Sequence, residues 1–290
     1  MPRTVEELTA LLDLETIDQN LFRGEQQPSN LERVFGGQVA AQALVAADRT
    51  VDDSYVVHSL HAYFLQPGDT AARIVYDVER LRDGRSFATR RVLARQHGRP
   101  IFAMTVDLQR PEEGRDHQDV MPDVPAPEDC LDPRTLPGSD DLAEWDSVQF
   151  RYVGSSADLL PPDRERPGRQ RFWLRVADRL PDEPLAHTAG FAYLSDLTLM
   201  GAALAPHGLR MGGRHTLVAS LDHAIWFHRP FRVDEWLLYD QVSPAGAGAR
   251  GLVTARVFTQ DGTLVASVAQ EALLRPLAER PTVDTAGAQG

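Results

Sequence analysis

Apolar residues near the start of the chain recur at helical spacing, with Val5, Leu8 and Leu12 on one face. Thr4 followed by Glu7 makes a capping box, the hydroxyl accepting a free amide and the carboxylate satisfying the cap residue's own N–H, so a short helix is predicted. From Leu14 the period falls to two, which predicts a strand or extended segment. Gly36 and Gly37 then open an alanine-rich stretch, 37–46, where Val39, Leu44 and Val45 favour a buried helix. Its small first residues allow another group to approach the backbone closely. Four alternating segments follow at 55–65, 72–80, 86–95 and 101–108, the last two joined as a hairpin around Gln96-His97-Gly98.

The pattern stops at 111–138, a stretch with six prolines and eight acidic residues that cannot build a core of its own. It is expected to be an interdomain linker laid over the surface. Strand-like pieces return at 148–153 and 171–176 around a polar loop at 161–168. A second helix is expected from about 185 to 204, roughly 30 Å long at 1.5 Å per residue, stopped by Pro206 and Gly208.

An internal repeat organises these elements. VHSLHAYF at 57–64 matches LDHAIWFH at 221–228 at a shift of 164, which also places the turn Gln96-His97-Gly98 on Gln260-Asp261-Gly262 and Gly36 on Met200. Two copies of one α+β unit, each a helix covered by an antiparallel sheet, account for this order. The expected division is 1–110 and 144–280 as the two units, 111–143 as the linker and 281–290 as a disordered tail.

Composition narrows the function. At 290 residues the chain suits two domains and buries enough surface to need no staple. A net charge of -12 disfavours nucleic acid and anionic membranes. The basic residues within 80–95 have spacings that fit the polar edges of strands. Cys130 is the single cysteine, which excludes an intrachain disulfide and a thiol-rich metal site. The first residues lack the apolar core of a secretory signal, and no apolar run has the length of a membrane helix. Cytoplasmic residence is expected.

Several polar residues stand in places that demand an explanation. Asp196 follows the apolar stretch Phe191-Ala192-Tyr193-Leu194-Ser195, where an unpaired carboxylate would be costly; it is a functional group or a helix-surface acceptor. Gln270 sits among small apolar strand residues and must be paired, with a substrate group, a water or the backbone. On an ideal strand Ser220 and Asp222 face one way and His223 the other, which argues against an Asp222–His223 couple. No Gly-x-Ser-x-Gly elbow occurs. His58 and His61, three apart, would face opposite sides of a strand and cannot chelate one ion, so no metal site is expected. Phe35-Gly36-Gly37-Gln38 is too short for a phosphate-cradling loop.

Taken together, LFRG at 21–24, VFGGQV at 34–39, VHSLHAYFLQPG at 57–68, YDVERLRDGRSF at 76–87, DHAIWFHRPF at 222–231, EWLLY at 235–239 and FTQDG at 258–262 resemble the acyl-CoA thioesterase II family. The likeness spans most of 5–275. It implies a double hot-dog fold, two antiparallel sheets each wrapped around a central helix, and hydrolysis of fatty acyl-CoA to free acid and coenzyme A without metal or cofactor. Matching the family's motifs residue by residue implies a catalytic Asp196, Ser220 (where the family pattern has threonine) and Gln270 around one water. Gly36, Gly37, Gln38 and His58 become candidate substrate contacts, and Arg85, Arg90 and Arg91 candidates for the CoA phosphates. The implied partners are the fatty acyl-CoA substrate and, through leftover apolar surface, a second copy in a homodimer or homotetramer; neither nucleic acid nor stable membrane insertion is expected. A hot-dog enoyl-CoA hydratase would carry a histidine five residues after its aspartate, where this chain has Gly201. A non-catalytic acyl-CoA-binding paralogue is the other alternative.

Overall fold

A computed structural model describes residues 1–135, 145–153, 168–209, 211 and 216–277. The chain opens with α1 (Val5–Leu12), capped by the Thr4 hydroxyl, which accepts the Glu7 N–H at 3.2 Å. The reciprocal half of the expected box differs: the Glu7 carboxylate accepts the N–H of Arg3, one residue before the cap, at 2.7 Å. The buried stripe is Val5, Leu8 and Leu11, with Leu12 at its margin. The period-two segment is a small hairpin, β1 (Glu15–Asp18) and β2 (Leu21–Gly24), with Asn20 at φ 60° in its turn.

Next comes α2 (Gly36–Asp48), buried on nearly every side. Small alanines suit it to a position between a sheet and another helix. Two buried glutamines fix its rotation. Gln42 Nε2 donates to the Leu11 carbonyl at 2.7 Å and its Oε1 accepts from Tyr76 Oη at 2.7 Å, while Gln38 Nε2 donates to Gln26 Oε1 at 3.0 Å. The predicted strands form β3 (Val56–Phe64), β4 (Ile74–Asp83), β5 (Phe87–Gln96) and β6 (Arg99–Gln109). His97 and Gly98, both with positive φ, make the two-residue turn between β5 and β6, in agreement with the sequence pattern.

The second half contributes β7 (Val148–Tyr152), β8 (Arg169–Val176), α3 (Pro184–Ser195), α4 (Leu199–Leu204), β9 (Thr216–Ser220), β10 (Asp222–Phe227), β11 (Leu237–Ala247), β12 (Arg250–Thr259) and β13 (Leu264–Pro276). The single helix expected at 185–204 is in fact two, broken at Asp196–Thr198. Residues 161–167 of the expected polar loop and the tail at 281–290 lie outside the described residues.

Among the described residues the strands make one continuous antiparallel sheet, ordered β1-β2-β4-β5-β6-β3-β10-β13-β12-β11-β8-β7, with β9 also on β13. This corrects the expectation of two separate sheets. The halves join edge to edge through β3 and β10, with Leu60 opposite Ile225 and Tyr63 opposite Asp222. An edge strand in each half would otherwise expose unpaired backbone groups, and mutual pairing removes both edges. The repeat is visible in the order itself, since 1-2-4-5-6-3 in one half corresponds to 7-8-11-12-13-10 in the other. α2 and α3 pack against each other, while α4 lies over β11, β12 and β13.

Residues 116–130 of the acidic, proline-rich stretch run over the surface of the second half. Gln118 bonds the Gly262 carbonyl and the Leu264 N–H at 2.8 and 3.1 Å, Arg256 pairs with Asp119, and Trp173 Nε1 donates to the Pro125 carbonyl at 2.9 Å. Met121, Val124 and Cys130 cover a small apolar cluster that includes Trp173, Trp236 and Phe258.

Candidate active site

Asp196 occupies the break between α3 and α4 and is 4% exposed. Its Oδ1 accepts hydrogen bonds from Ser220 Oγ at 3.0 Å and Gln270 Nε2 at 2.9 Å. Gln270 Nε2 also lies 2.6 Å from Ser220 Oγ. Three side chains from three segments thus close a triangle. Ser220 ends β9, and Gln270 stands mid-β13, opposite Val253.

The strand parity expected around Ser220 does not hold, and the reason is local. Ser220 pairs with Ala272 and Ala224 with Ala269, so five residues on one side oppose four on the other. The bulge turns Ser220 and His223 to the same inner face, leaving Asp222 to accept the Glu271 N–H at 2.6 Å. A matching irregularity lies between Val57 and Ser59 against β6, the place that a shift of 164 maps onto 221–223. Because of the bulge, His58 and His61 both face away from the core. They still do not meet: His58 Nε2 is 3.2 Å from Asp107 Oδ2, while the His61 ring packs edge-on to Trp226. Among the described residues no cluster of three metal-ligating side chains forms.

The other half reaches the triangle through α2. The Gly37 N–H donates to the Asp196 carboxylate. A Cβ on Gly36 would lie 2.6 Å from Asp196 Oδ2, and one on Gly37 would lie 2.4 Å from the Tyr193 carbonyl oxygen. Both glycines are therefore required for close approach, as their place in the sequence predicts. The positive end of the α2 dipole faces the carboxylate.

Burial dominates the electrostatics and pushes the Asp196 carboxyl above its ordinary value; His223 and the bonds from Gln270, Ser220 and Gly37 pull the other way. His223 is fully buried, and burial draws its imidazole below the ordinary value against the opposing influence of Asp196, Gln270 and Asp222. His223 Nδ1 lies 3.0 Å from Gln270 Oε1, and Nε2 lies 2.8 Å from Ser195 Oγ. The sequence does not assign His223, Ser195 or Met200, whose Sδ is 3.7 Å from Ser220 Oγ, to the site. The bulge hides the histidine; no residue pattern announces it.

The remaining candidates separate. Gln38 turns its amide to Gln26 and the Glu25 carbonyl, away from Asp196. Arg90 is not a surface cation: only 1% of its side chain is exposed, and its guanidinium is committed to Thr50 Oγ1, the Arg82 carbonyl and Asp83. That corrects its assignment to CoA phosphates. The signal is present in the sequence, since period two puts Arg90 on one face with Ala88, Val92 and Ala94. Arg91 is exposed and pairs with Glu79 at 2.6 Å; Arg85 is exposed.

Set beside known proteins, the fold has clear counterparts. A solved structure with a hot-dog fold from Alicyclobacillus acidocaldarius superposes with a TM-score of 0.76 at 20% identity, covering 93% of this chain and 98% of that one. An acyl-CoA thioesterase II, TesB2, from Mycobacterium marinum superposes with a TM-score of 0.83 at 46% identity, over 94% of this chain and 100% of the other. The architecture is therefore that of the hot-dog thioesterases. Residues 26–109 match the family model for the acyl-CoA thioesterase N-terminal domain, and residues 161–273 match that for acyl-CoA thioesterase. Acyl-CoA thioesterase 2 of Haemophilus influenzae is 39% identical over 95% of this chain and 99% of its own length. The chain belongs to the acyl-CoA thioesterase family, in its TesB-like thioesterase II branch, and is a thioester hydrolase.

Proposed function

We propose that the chain hydrolyses fatty acyl-CoA by a water held between Asp196, Ser220 and Gln270. The single observation that carries this is the buried triangle, in which a carboxylate, a hydroxyl and an amide from three segments lie within 3.0 Å of one another. Asp196 accepts a proton from the water as its oxygen attacks the thioester carbonyl; Ser220 and Gln270 orient that water. The tetrahedral intermediate then expels the coenzyme A thiolate, which takes up the proton from Asp196. An N–H in the first turn of α2 other than the Gly37 N–H, already engaged by Asp196, receives the developing oxyanion. The acid form of Asp196 cannot act as base, and burial raises the pH at which that form gives way to the carboxylate. The pH profile of kcat/KM should therefore fall on the acid side with a midpoint above the ordinary 3.8 of an aspartate, the rate rising as pH increases through it. A midpoint at or below the ordinary value would remove Asp196 as the buried base.

Repeat order and shared topology support reading 1–110 and 144–280 as two hot-dog domains, a double hot-dog joined by 111–143. Arg85 and Arg91 remain the proposed contacts for CoA phosphates, with Gly36 and Gly37 along the substrate's path; His58, on the outer face beside Asp107, is not among them. Arg90 has a structural role. Arg90→Ala should destabilise the fold by about 2 kcal/mol, from the loss of hydrogen bonds made by a charged group, and leave KM for acyl-CoA unchanged. Thermal unfolding beside steady-state kinetics checks both halves of that statement. The lone cysteine and the net charge of -12 support a cytoplasmic setting. Exposed apolar residues such as Tyr63 and Trp226 support a homodimer or homotetramer. The primary test is thiol release from fatty acyl-CoAs of several lengths, with enoyl-CoA hydration run in parallel. Thiol release is expected. Binding without release would make the chain an acyl-CoA-binding paralogue, and hydration would make it a hydratase.

A further inference from the structure

Hydrogen-bond donors and acceptors around Gln270 allow one consistent arrangement. Its amide nitrogen has two hydrogens, and two acceptors face it, Asp196 Oδ1 at 2.9 Å and Ser220 Oγ at 2.6 Å. The Ser220 hydroxyl hydrogen goes to Asp196 Oδ1, so Ser220 can accept from Gln270. Rotating the amide by half a turn would set Gln270 Oε1 against a carboxylate oxygen. With the amide nitrogen committed, Gln270 Oε1 must accept, and the atom facing it is His223 Nδ1 at 3.0 Å. His223 must therefore carry a hydrogen on Nδ1. Its Nε2 then has only a lone pair, so Ser195 Oγ at 2.8 Å gives its single hydrogen to that nitrogen rather than to the Ala192 carbonyl at 3.0 Å. Tyr239 Oη, donating to the Ser195 carbonyl at 3.0 Å, holds that residue in place.

We propose that His223 is a positioning residue: its Nδ1–H fixes the Gln270 amide with the nitrogen towards Asp196 and Ser220, and so fixes the face on which the attacking water is held. This rests on the reading in which those three residues hold the water. His223 is fully buried and both ring nitrogens are engaged within the protein, so it acts on Gln270 rather than on substrate. The groups facing it are Asp196 and Ser195 at the end of α3, Gln270 on β13 and Asp222 beside it on β10. Without it, Gln270 Oε1 loses its donor, the amide is held only from the Asp196 and Ser220 side, and the water is oriented less firmly.

His223→Leu removes the donor; His223→Asn places an amide nitrogen close to where Nδ1 stood. His223→Leu should lower kcat by about 10- to 100-fold with KM unchanged, because a misplaced reactant costs rate rather than affinity. His223→Asn should recover most of kcat. Should either variant fold poorly, nitrogen NMR of the histidine-labelled wild-type protein reads the same point: a hydrogen on Nδ1 of His223 is expected. A neutral ring carrying its hydrogen on Nε2 would overturn the proposal, as would wild-type kcat in a folded His223→Leu. Asp196→Asn, assayed alongside, separates the two levels. If Asp196→Asn is inactive while His223→Leu is normal, the positioning role fails alone; if Asp196→Asn is active, the water-holding reading itself fails.

Discussion

Asp196→Asn should lower kcat by about 10²- to 10⁴-fold, the usual worth of a positioned general base, while acyl-CoA binding persists. Asparagine keeps the size of the side chain, and its Oδ1 can still accept from Ser220 and Gln270, which bond that oxygen at 3.0 and 2.9 Å. What it loses is the ability to take a proton from water. Burial makes the wild-type group a stronger base than an exposed aspartate, because the buried charged form is disfavoured. Steady-state thiol release together with equilibrium binding of acyl-CoA resolves the two effects. A variant with unchanged rates would remove the proposed chemistry from this site.

Gly36→Ala is the second large effect. Its Cβ would stand 2.6 Å from both Asp196 Oδ2 and the Phe64 ring, closer than the 3.0 Å below which real Cβ contacts essentially never fall. The carboxylate must move away from the end of α2, and a displacement of about 1 Å at a reacting group can cost on the order of 10² in rate. The loss should appear in kcat while the melting temperature falls only modestly, since side chains rather than backbone yield. Gly37 differs, because its Cβ would strike the carbonyl of Tyr193 in α3, which cannot rotate aside. Wild-type kcat in Gly36→Ala would mean that Asp196 does not need the first half beside it.

What the sequence reveals of this fold and site depends on the range of the forces involved. The strands from β3 to β6 and their hairpin turn are legible because alternation and a glycine turn are local signals. The shift of 164 aligns β3 to β6 with β10 to β13, yet it fails upstream: adding it to β1 gives 179–182, far from β7 at Val148–Tyr152. Insertions before the second helix break the register there. The break at Asp196 is not legible, because no proline or glycine marks it. It accompanies the turn of Asp196 towards Gln270 and Ser220, partners 74 and 24 residues away in the chain. His223 escapes the sequence pattern for a related reason, since one extra residue in the pairing of β9 and β10 with β13 reverses every parity beyond it. Asp196, Ser220 and Gln270 are found as a set only through family motifs. Polar character in apolar surroundings marks Asp196 and Gln270 as unusual without saying that they meet.

The central claim is that water, activated by Asp196, attacks the thioester directly. A single turnover with enzyme in excess, run in water enriched in heavy oxygen, tests it most directly. Direct attack places the label in the released fatty acid and none in the protein. Label found in the Asp196 carboxylate would mean that Asp196 itself attacked to form an acyl anhydride, and a general-base role for that carboxylate would be contradicted.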